Sequence, residues 1–332
     1  MPQRMRAVYH ETTGPVDVVL RFGEWDLPEP AAGEVLVEIH AVGLNPVDVK
    51  RIAGLAPAPA GRRLVPGDDG AGVILAVGPG VSEKRVGQRV WIYMARVDRD
   101  CGTAASHAVV PSERAVLLPD GVSFEAGACL GVPAITAHHA LFCDGPIEGQ
   151  TVLIHGGAGA VGSTAVQLAK WGGATVIATV SGPEKAAVAS ACGADQVIDY
   201  RRENVVERIR AITSGAGVDR VVDVAFGVNL AGNLEVLKAN GVLSTYSSDA
   251  DQAPVLPFLK LLRKNITVHF MIIYPLTRLV LQRAIRDITA ALATRALLPV
   301  VTRILPLREF AQADRIVGKV SGTGNIVLVP EP

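Results

Sequence analysis

The sequence predicts an α/β protein in two parts: a doubly wound parallel sheet, and a β-rich domain assembled from both ends of the chain. Three observations point there. The length, 332 residues, exceeds what one hydrophobic core usually serves. The first third is rich in strands and turns, whereas helix and strand patterns alternate from Phe124 onward. Two short strand patterns, around Val300 and Ile326, follow a last helix and are expected to return to the first domain. The expected boundaries are 1–124 and 273–332 for the β-rich domain and 125–272 for the parallel-sheet domain.

Taken in order, Arg6 to His10, Val18 to Trp25 and Val35 to Val42 alternate or run apolar over strand lengths, with Pro28 and Pro30 between the last two. Gly67, Gly70, Gly72, Gly78, Gly80 and Gly87 punctuate the next stretch, around strands at Val73 to Val77 and Arg89 to Tyr93. This texture belongs to a small, curved, barrel-like domain. Beyond it, Ala126 to Phe142 reads as helix and Thr151 to His155 as a β-branched strand. Helices follow at Ser163 to Trp171, Glu184 to Ala191, Val205 to Thr213 and Leu230 to Leu237. Strands at Ala174 to Val180, Gln196 to Tyr200, Asp219 to Phe226, Val242 to Tyr246 and Ile266 to Ile273 alternate with them. About six strands make a full Rossmann sheet. The last helix is Leu279 to Ala293.

Composition narrows the functional classes. Hydrophobic residues make up 49% and charged residues 19%, enough apolar mass for packed cores. A formal net charge of +0 lacks the basic excess of a nucleic-acid binder, and the pair Arg201, Arg202 reads as solvated surface. Met1 to Glu11 has no apolar signal-peptide region. The longest apolar stretch, Ile266 to Leu276, contains His269 and Pro275 and is too short for a bilayer; it reads as a buried strand followed by a loop. The four cysteines, Cys101, Cys129, Cys143 and Cys192, form no Cys-x-x-Cys and suggest no disulfide framework. The expected setting is the cytoplasm, with no nucleic-acid or membrane partner.

The strongest chemical signal is Gly157-Ala158-Gly159-Ala160-Val161-Gly162, a complete G-x-G-x-x-G. Such glycine runs are common in turns. This one follows a strand and precedes a helix, the setting in which it binds a dinucleotide pyrophosphate. Gly157 is expected to permit the tight turn, Gly159 the approach of backbone N–H groups to phosphate, and Gly162 the packing of helix on strand.

A site selecting NAD places an acid about 20 residues on, at the tip of the second strand, to hold the ribose 2′-hydroxyl. Here that strand ends Thr179-Val180-Ser181-Gly182, with Lys185 opening the next helix and Tyr200 closing the next strand. Ser181, Lys185 and Tyr200 offer donors and positive charge suited to a 2′-phosphate, so the expected cofactor is NADPH. Lys185 alone also fits a solvated helix surface, and Glu184 is read as a first-turn residue favoured by the helix dipole.

The order of domains and several local stretches resemble the medium-chain dehydrogenase/reductase superfamily. Val42-Gly43-Leu44-Asn45-Pro46-Val47-Asp48 resembles its quinone oxidoreductase (zeta-crystallin-like) branch, as do Pro66 to Gly72, Pro133 to Ala137 and Ile198-Asp199-Tyr200-Arg201. The resemblance spans essentially the whole chain and implies a GroES-like fold for the β-rich domain. Zinc alcohol dehydrogenases of the superfamily carry Cys where Asn45 stands, His-Glu where Asp68-Asp69 stands, and a third ligand near Gly131 to Pro133. Those positions here lack suitable N or S ligands, and the four-cysteine structural-zinc lobe is reduced to Cys101. His138-His139 point to different helix faces, so no metal is expected.

Without a Lewis acid, hydride addition to a quinone or enone is easier than alcohol–carbonyl exchange, because charge delocalises into the enolate or hydroquinone anion. Asn45 is the first catalytic candidate, as donor to the substrate oxygen or the nicotinamide ribose; it also reads as a helix cap with Pro46 at N1 and Asp48 at N3. Tyr93 is a second candidate donor, and buried tyrosines at strand ends are more often structural. The resemblance assigns Thr136 a place near the nicotinamide and pyrophosphate. Phe226 and Tyr246 stand at strand carboxyl ends, where ligands bind, and Phe270, Ile272 and Asn325 complete the cofactor-contacting set. The stretch Ala53 to Arg62 is expected to line the substrate cleft as a loop. The alternatives are an α,β-unsaturated aldehyde or thioester (enoyl) reductase and an NADPH-binding protein without catalysis. The apolar Ile266 to Ile273 strand would leave a sheet edge needing cover. That edge, and the resemblance, suggest a homodimer formed through it.

Overall fold

A computed structural model describes residues 4–55, 61–317 and 322–331. It separates into two compact units, Met1–Pro133 with Pro299–Pro332, and Ala134–Leu298. The interrupted arrangement expected from the sequence is present, with the second unit reaching further toward the C-terminus than 272. The reason is the helix Arg278–Ala293, which buries Ala284, Ile288, Ala291 and Leu292. Its Asp287 also accepts a hydrogen bond from His138 at 2.9 Å. Just beyond that helix, the Leu298 amide donates to Gln167 Oε1 at 2.8 Å.

The first unit contains β1 (Arg4–Tyr9), β2 (Arg21–Asp26), β3 (Glu34–Leu44), β4 (Asp69–Val77), β5 (Arg89–Ile92), β6 (His107–Pro111) and β7 (Ala115–Leu117). The second contains β8 (Thr151–Ile154), β9 (Thr175–Val180), β10 (Gln196–Asp199), β11 (Val218–Asp223), β12 (Leu237–Thr245) and β13 (Thr267–Phe270). The chain then returns to the first unit for β14 (Val301–Pro306) and β15 (Asn325–Val329).

In the first unit β1 and β2 pair antiparallel, and the main sheet runs β14-β15-β3-β4-β5-β7 with β6 also on β3. Strand β3 pairs with β6 over Glu34–Glu38 and with β15 over Val42–Leu44. Register shifts on its β4 side, at Leu36/Val37 and Ile39/Ala41, are the irregularities that bend such a strand. Val37, Ile39, Ile74, Val90, Ile326 and Leu328 share one core. The expected strand at Val18 to Trp25 is instead a helical turn, Val16–Val19, followed by β2. Pro15 explains the difference: its fixed φ of −55° starts a turn whose carbonyl receives the Val18 and Val19 amides.

The single helix expected over Ala126 to Phe142 is two, Phe124–Gly127 and Val132–Phe142. Between them Asp69 Oδ2 accepts the Val132 amide at 2.7 Å, capping the second helix. A Cβ on Gly131 would stand 1.9 Å from Asp69 Oδ1.

The second unit's sheet is six-stranded, ordered β10-β9-β8-β11-β12-β13. Its pairings are all parallel, and a helix lies on each strand-to-strand path. The order reverses between β8 and β11, the switch point outside which such sheets bind ligands. Strand β13 is not buried as expected: it is the edge, with Phe270 65% exposed. No helix among the described residues is long and apolar enough to cross a membrane.

Candidate active site

Strand β8 delivers the chain into the glycine loop, and the helix opens at Ala160, three residues earlier than its pattern suggests. The left-handed turn belongs to Gly156, at φ +68°, rather than to Gly157. Gly157 is constrained by contact instead: its Cβ would lie 2.7 Å from the Ala178 side chain. Gly162 faces the Gly156 carbonyl, which a Cβ would approach to 2.0 Å. Gly159 is different, because a Cβ there meets only the Gly156 oxygen at 3.4 Å. Packing does not require that glycine. Ala158 is buried, while Gly159, Ala160 and Val161 are half-exposed at the helix start. The amides of that first turn lack intrahelical acceptors, which is the chemistry that binds phosphate.

Beside the loop, β9 ends at Val180 and the next helix, Pro183–Ala191, begins after Gly182. Lys185 Nζ donates to Ser181 Oγ at 3.0 Å. The Tyr200 amide donates to the Val180 carbonyl at 3.1 Å, which sets the exposed Tyr200 beside the end of β9. Burial first, and then the Arg201 guanidinium, push the Lys185 ammonium pKa down. Arg201, read from sequence as plain surface, therefore belongs to the same corner as a second cation. Donors and positive charge converge here, and Glu184 stands exposed in the first turn.

Further along the carboxyl ends, Phe226, Tyr246 and Phe270 line one pocket of about 430 Å³, with Thr245, Ser248 and Met271. Phe226 and Phe270 meet edge to face at 5.1 Å. Burial, with the Asp223 carboxylate second, raises the Tyr246 phenol pKa and keeps it protonated. Ile272 lies just past this strand end, exposed. Thr136 is buried on the helix Val132–Phe142.

A buried polar chain escaped the sequence reading. Asp223 accepts from Asn229 Nδ2 at 2.8 Å and Asn233 Nδ2 at 2.7 Å. Asn233 Oδ1 in turn faces His155 Nε2 at 2.8 Å, and His155 Nδ1 faces Thr179 Oγ1 at 3.0 Å. With its amide group donating to a carboxylate, Asn233 presents oxygen to His155, so His155 carries hydrogen on Nε2. The chain ties the glycine loop's root to the tip of β11. Its sequence signal was slight: a histidine immediately before the glycines, and asparagines four apart on one helix.

In the first unit, Asn45 stands before the helix Pro46–Lys50, and its amide donates to Asp48 Oδ2 at 2.9 Å, as the capping reading requires. Its side chain is engaged as well: Nδ2 donates to Asp69 Oδ2 at 2.8 Å. Asp68 pairs with Arg51 at 2.7 Å. Asp48, Asp68 and Asp69 are all fully or almost fully buried. Burial and the Asp68 charge raise Asp48 to about 7. Burial and the same charge push Asp69 well above the usual carboxylate range. An amide, an arginine-paired carboxylate and a glycine do not make a tetrahedral zinc set, so the residues at the superfamily's zinc positions do not fit that ion. The Tyr93 hydroxyl donates to the Glu113 carbonyl at 3.3 Å. Asn325 Nδ2 donates to the Val300 carbonyl at 3.0 Å, within the return of the chain. Of the Ala- and Pro-rich stretch, residues 56–60 lie outside those described.

Comparison with known proteins places both units. Residues 31–120 match the alcohol dehydrogenase GroES-like domain and residues 160–290 match the zinc-binding dehydrogenase family. A quinone oxidoreductase of Pseudomonas aeruginosa is 36% identical over 69% of this chain and 70% of its own length. A 2-haloacrylate reductase from a Burkholderia species is 31% identical over 98% of this chain and 99% of its own. The structure of Escherichia coli quinone oxidoreductase complexed with NADPH superposes with a TM-score of 0.84 at 30% identity, covering 98% of this chain and 100% of that one. Identity at this level over nearly full length reaches beyond a shared fold: the chain belongs to the quinone oxidoreductase branch of the medium-chain dehydrogenase/reductase superfamily, and it is an oxidoreductase.

Proposed function

We propose that this chain is an NADPH-dependent, zinc-independent reductase that delivers hydride to a quinone or enone. The observation carrying the reading is the corner beside the glycine loop, where Ser181, Lys185 and Arg201 gather and no acid caps β9. NADPH fits the second unit on its own chemistry. Gly159 leaves the loop's backbone open to a pyrophosphate, the first turn of the helix Ala160–Trp171 supplies amides, and the cationic corner suits a 2′-phosphate. When bound, NADPH supplies the hydride. The protein binds and orients: Lys185 and Ser181 hold the phosphate end, Phe226 and Phe270 give an apolar wall, and Tyr246 stays a neutral donor. Thr136 and Asn325 remain assigned to cofactor contact, Tyr93 to the substrate oxygen, and Asn45 to the substrate oxygen or the nicotinamide ribose. Asn45 keeps a second amide hydrogen for that task beyond the one given to Asp69.

The runner-up acceptor class is an activated acrylate or other α,β-unsaturated carbonyl, favoured by the 31% identity to a 2-haloacrylate reductase. Steady-state oxidation of NADPH and of NADH against a panel of quinones, enones and 2-haloacrylates tests the whole reading. Fast turnover with one acceptor class and a preference for NADPH is expected. NADPH binding without oxidation by any acceptor would instead leave a non-catalytic binding protein. The chain is also assigned to a homodimer formed along β13, where Phe270, on the strand, and Ile272, just past it, are exposed and lie near the exposed Phe258, Leu259 and Leu262 in sequence. The free cysteines suit a cytoplasmic setting.

A further inference from the structure

We propose that Cys143, Asp144 and His269 form a site for one late transition-metal ion, zinc fitting best, which pins edge strand β13 to the end of the helix Val132–Phe142. In sequence, Cys143 belongs to no Cys-x-x-Cys and no metal is expected. The fold brings together ligands that are far apart in the chain. One ligand atom from each of the three residues lies within 4.8 Å of the other two. Ligand atoms around tetrahedral zinc, bound at about 2.0–2.3 Å, sit roughly 3.5 Å apart. Cys143 Sγ and Asp144 Oδ1 are already 3.9 Å apart, so small side-chain rotations close the set.

A second observation points to an occupant. His269 Nε2 is shielded from solvent and has no hydrogen-bond partner, and the same holds for Nε of Arg220, a residue only 2% exposed. An imidazole nitrogen hidden in this way needs a partner, and a metal ion supplies one. The donor set selects the class of ion: thiolate with imidazole suits zinc and its neighbours, not magnesium or calcium. The helix contributes too. Cys143 follows its last residue, with its amide on the His139 carbonyl at 3.1 Å, and a helix C-terminus favours positive charge. Arg220 pairs with Asp144 Oδ1. It orients the carboxylate as outer-shell partners of metal ligands do. Its own charge opposes the ion, and the two anionic ligands offset it.

The site has a consequence for the neighbouring pocket. Successive strand residues point to opposite faces, so an ion held by His269 on one face fixes Phe270, which lines the pocket, on the other.

Cobalt(II) titration of the untagged full-length chain, stripped of metal by chelation, tests the proposal. One equivalent should bind with a thiolate-to-cobalt charge-transfer band that zinc displaces. Cys143→Ser should abolish the band, His269→Gln should weaken cobalt binding at least tenfold, and Cys192→Ser should change neither. A wild-type titration without a thiolate–cobalt band overturns the proposal. So does a band that survives Cys143→Ser, or cobalt affinity indifferent to His269→Gln. Because NADPH oxidation is not the readout, the result stands apart from the acceptor assignment.

Discussion

Replacing Lys185 with alanine is the sharpest test of the cofactor assignment. Its ammonium is half-exposed, bonded to Ser181 Oγ at 3.0 Å and close enough to Arg201 for their charges to interact. A charge-assisted hydrogen bond to phosphate contributes roughly 1.5–3 kcal/mol, or about 10- to 150-fold in affinity. Arg201 remains as a second cation, so the single substitution should sit near the lower end, raising the Michaelis constant for NADPH about tenfold. Removing both cations should approach the upper end. NADH has no 2′-phosphate, so its constant should barely move, and turnover should survive. Tyr200→Phe should act in the same direction and more weakly, since only a neutral hydroxyl is lost. Burial and Arg201 lower the Lys185 pKa, so the NADPH constant should rise with pH earlier than an ordinary lysine would allow, and this rise should vanish in the variant. Steady-state kinetics with both cofactors against one quinone is the assay. A wild type that prefers NADH, or equal weakening of both cofactors by Lys185→Ala, refutes the reasoning and returns Glu184 to consideration as a ribose ligand.

Other outcomes follow from the same structure. Gly162→Ala, whose Cβ would meet the Gly156 oxygen at 2.0 Å, should lower stability by about 1–3 kcal/mol; Gly159→Ala should fold nearly normally and lose NADPH affinity, and unchanged fluorescence titration in Gly159→Ala would contradict the phosphate role. Asp48 binds its proton more tightly folded than unfolded, at about 7 against 3.8. Its contribution is therefore complete below the unfolded value and lost as pH rises through about 7, so urea midpoints should fall across that window in wild type and fall less in Asp48→Asn. Chelation should leave quinone turnover unchanged in the Cys143→Ser background, whereas activity restored there by one equivalent of zinc would demand a catalytic zinc. Light scattering should give a dimer at micromolar concentration, and Ile272→Glu should shift it toward monomer; a monomeric wild type would end the β13 assignment.

Much of this was legible in sequence because the signals are local. Strand and helix periods alternate visibly from Thr151 to Phe270, and the glycine loop advertises itself within six residues. What escaped depends on contacts made across the chain. Nothing near Ala126 shows that Asp69 will interrupt that helix, because the conflict is between Gly131 and a carboxylate far upstream. Val18 and Val19 are good strand formers, and Pro15 outweighs them. The chain from Asp223 through Asn233 and His155 to Thr179 draws on four separate stretches of sequence, and the grouping of Cys143 with His269 joins a helix end to a distant strand. Asn45 illustrates both sides: its capping role was readable from Pro46 and Asp48, and its bond to Asp69 was not.

The pairing of β3 with β15 sets an order for assembly on the ribosome. Residues Val42–Leu44 hydrogen-bond to Ile326–Leu328, near the opposite end of the chain. Ala134–Leu298 is continuous, so the parallel-sheet unit can complete its folding as soon as it emerges. The β-rich unit emerges first yet finishes last, with part of its longest strand unpaired throughout synthesis. Such long-range closure slows folding, and an unpaired strand edge invites association with other chains. Nascent chains stalled before β14 should therefore present a folded cofactor unit carrying a sticky, incomplete partner, the state in which this protein most needs chaperone protection.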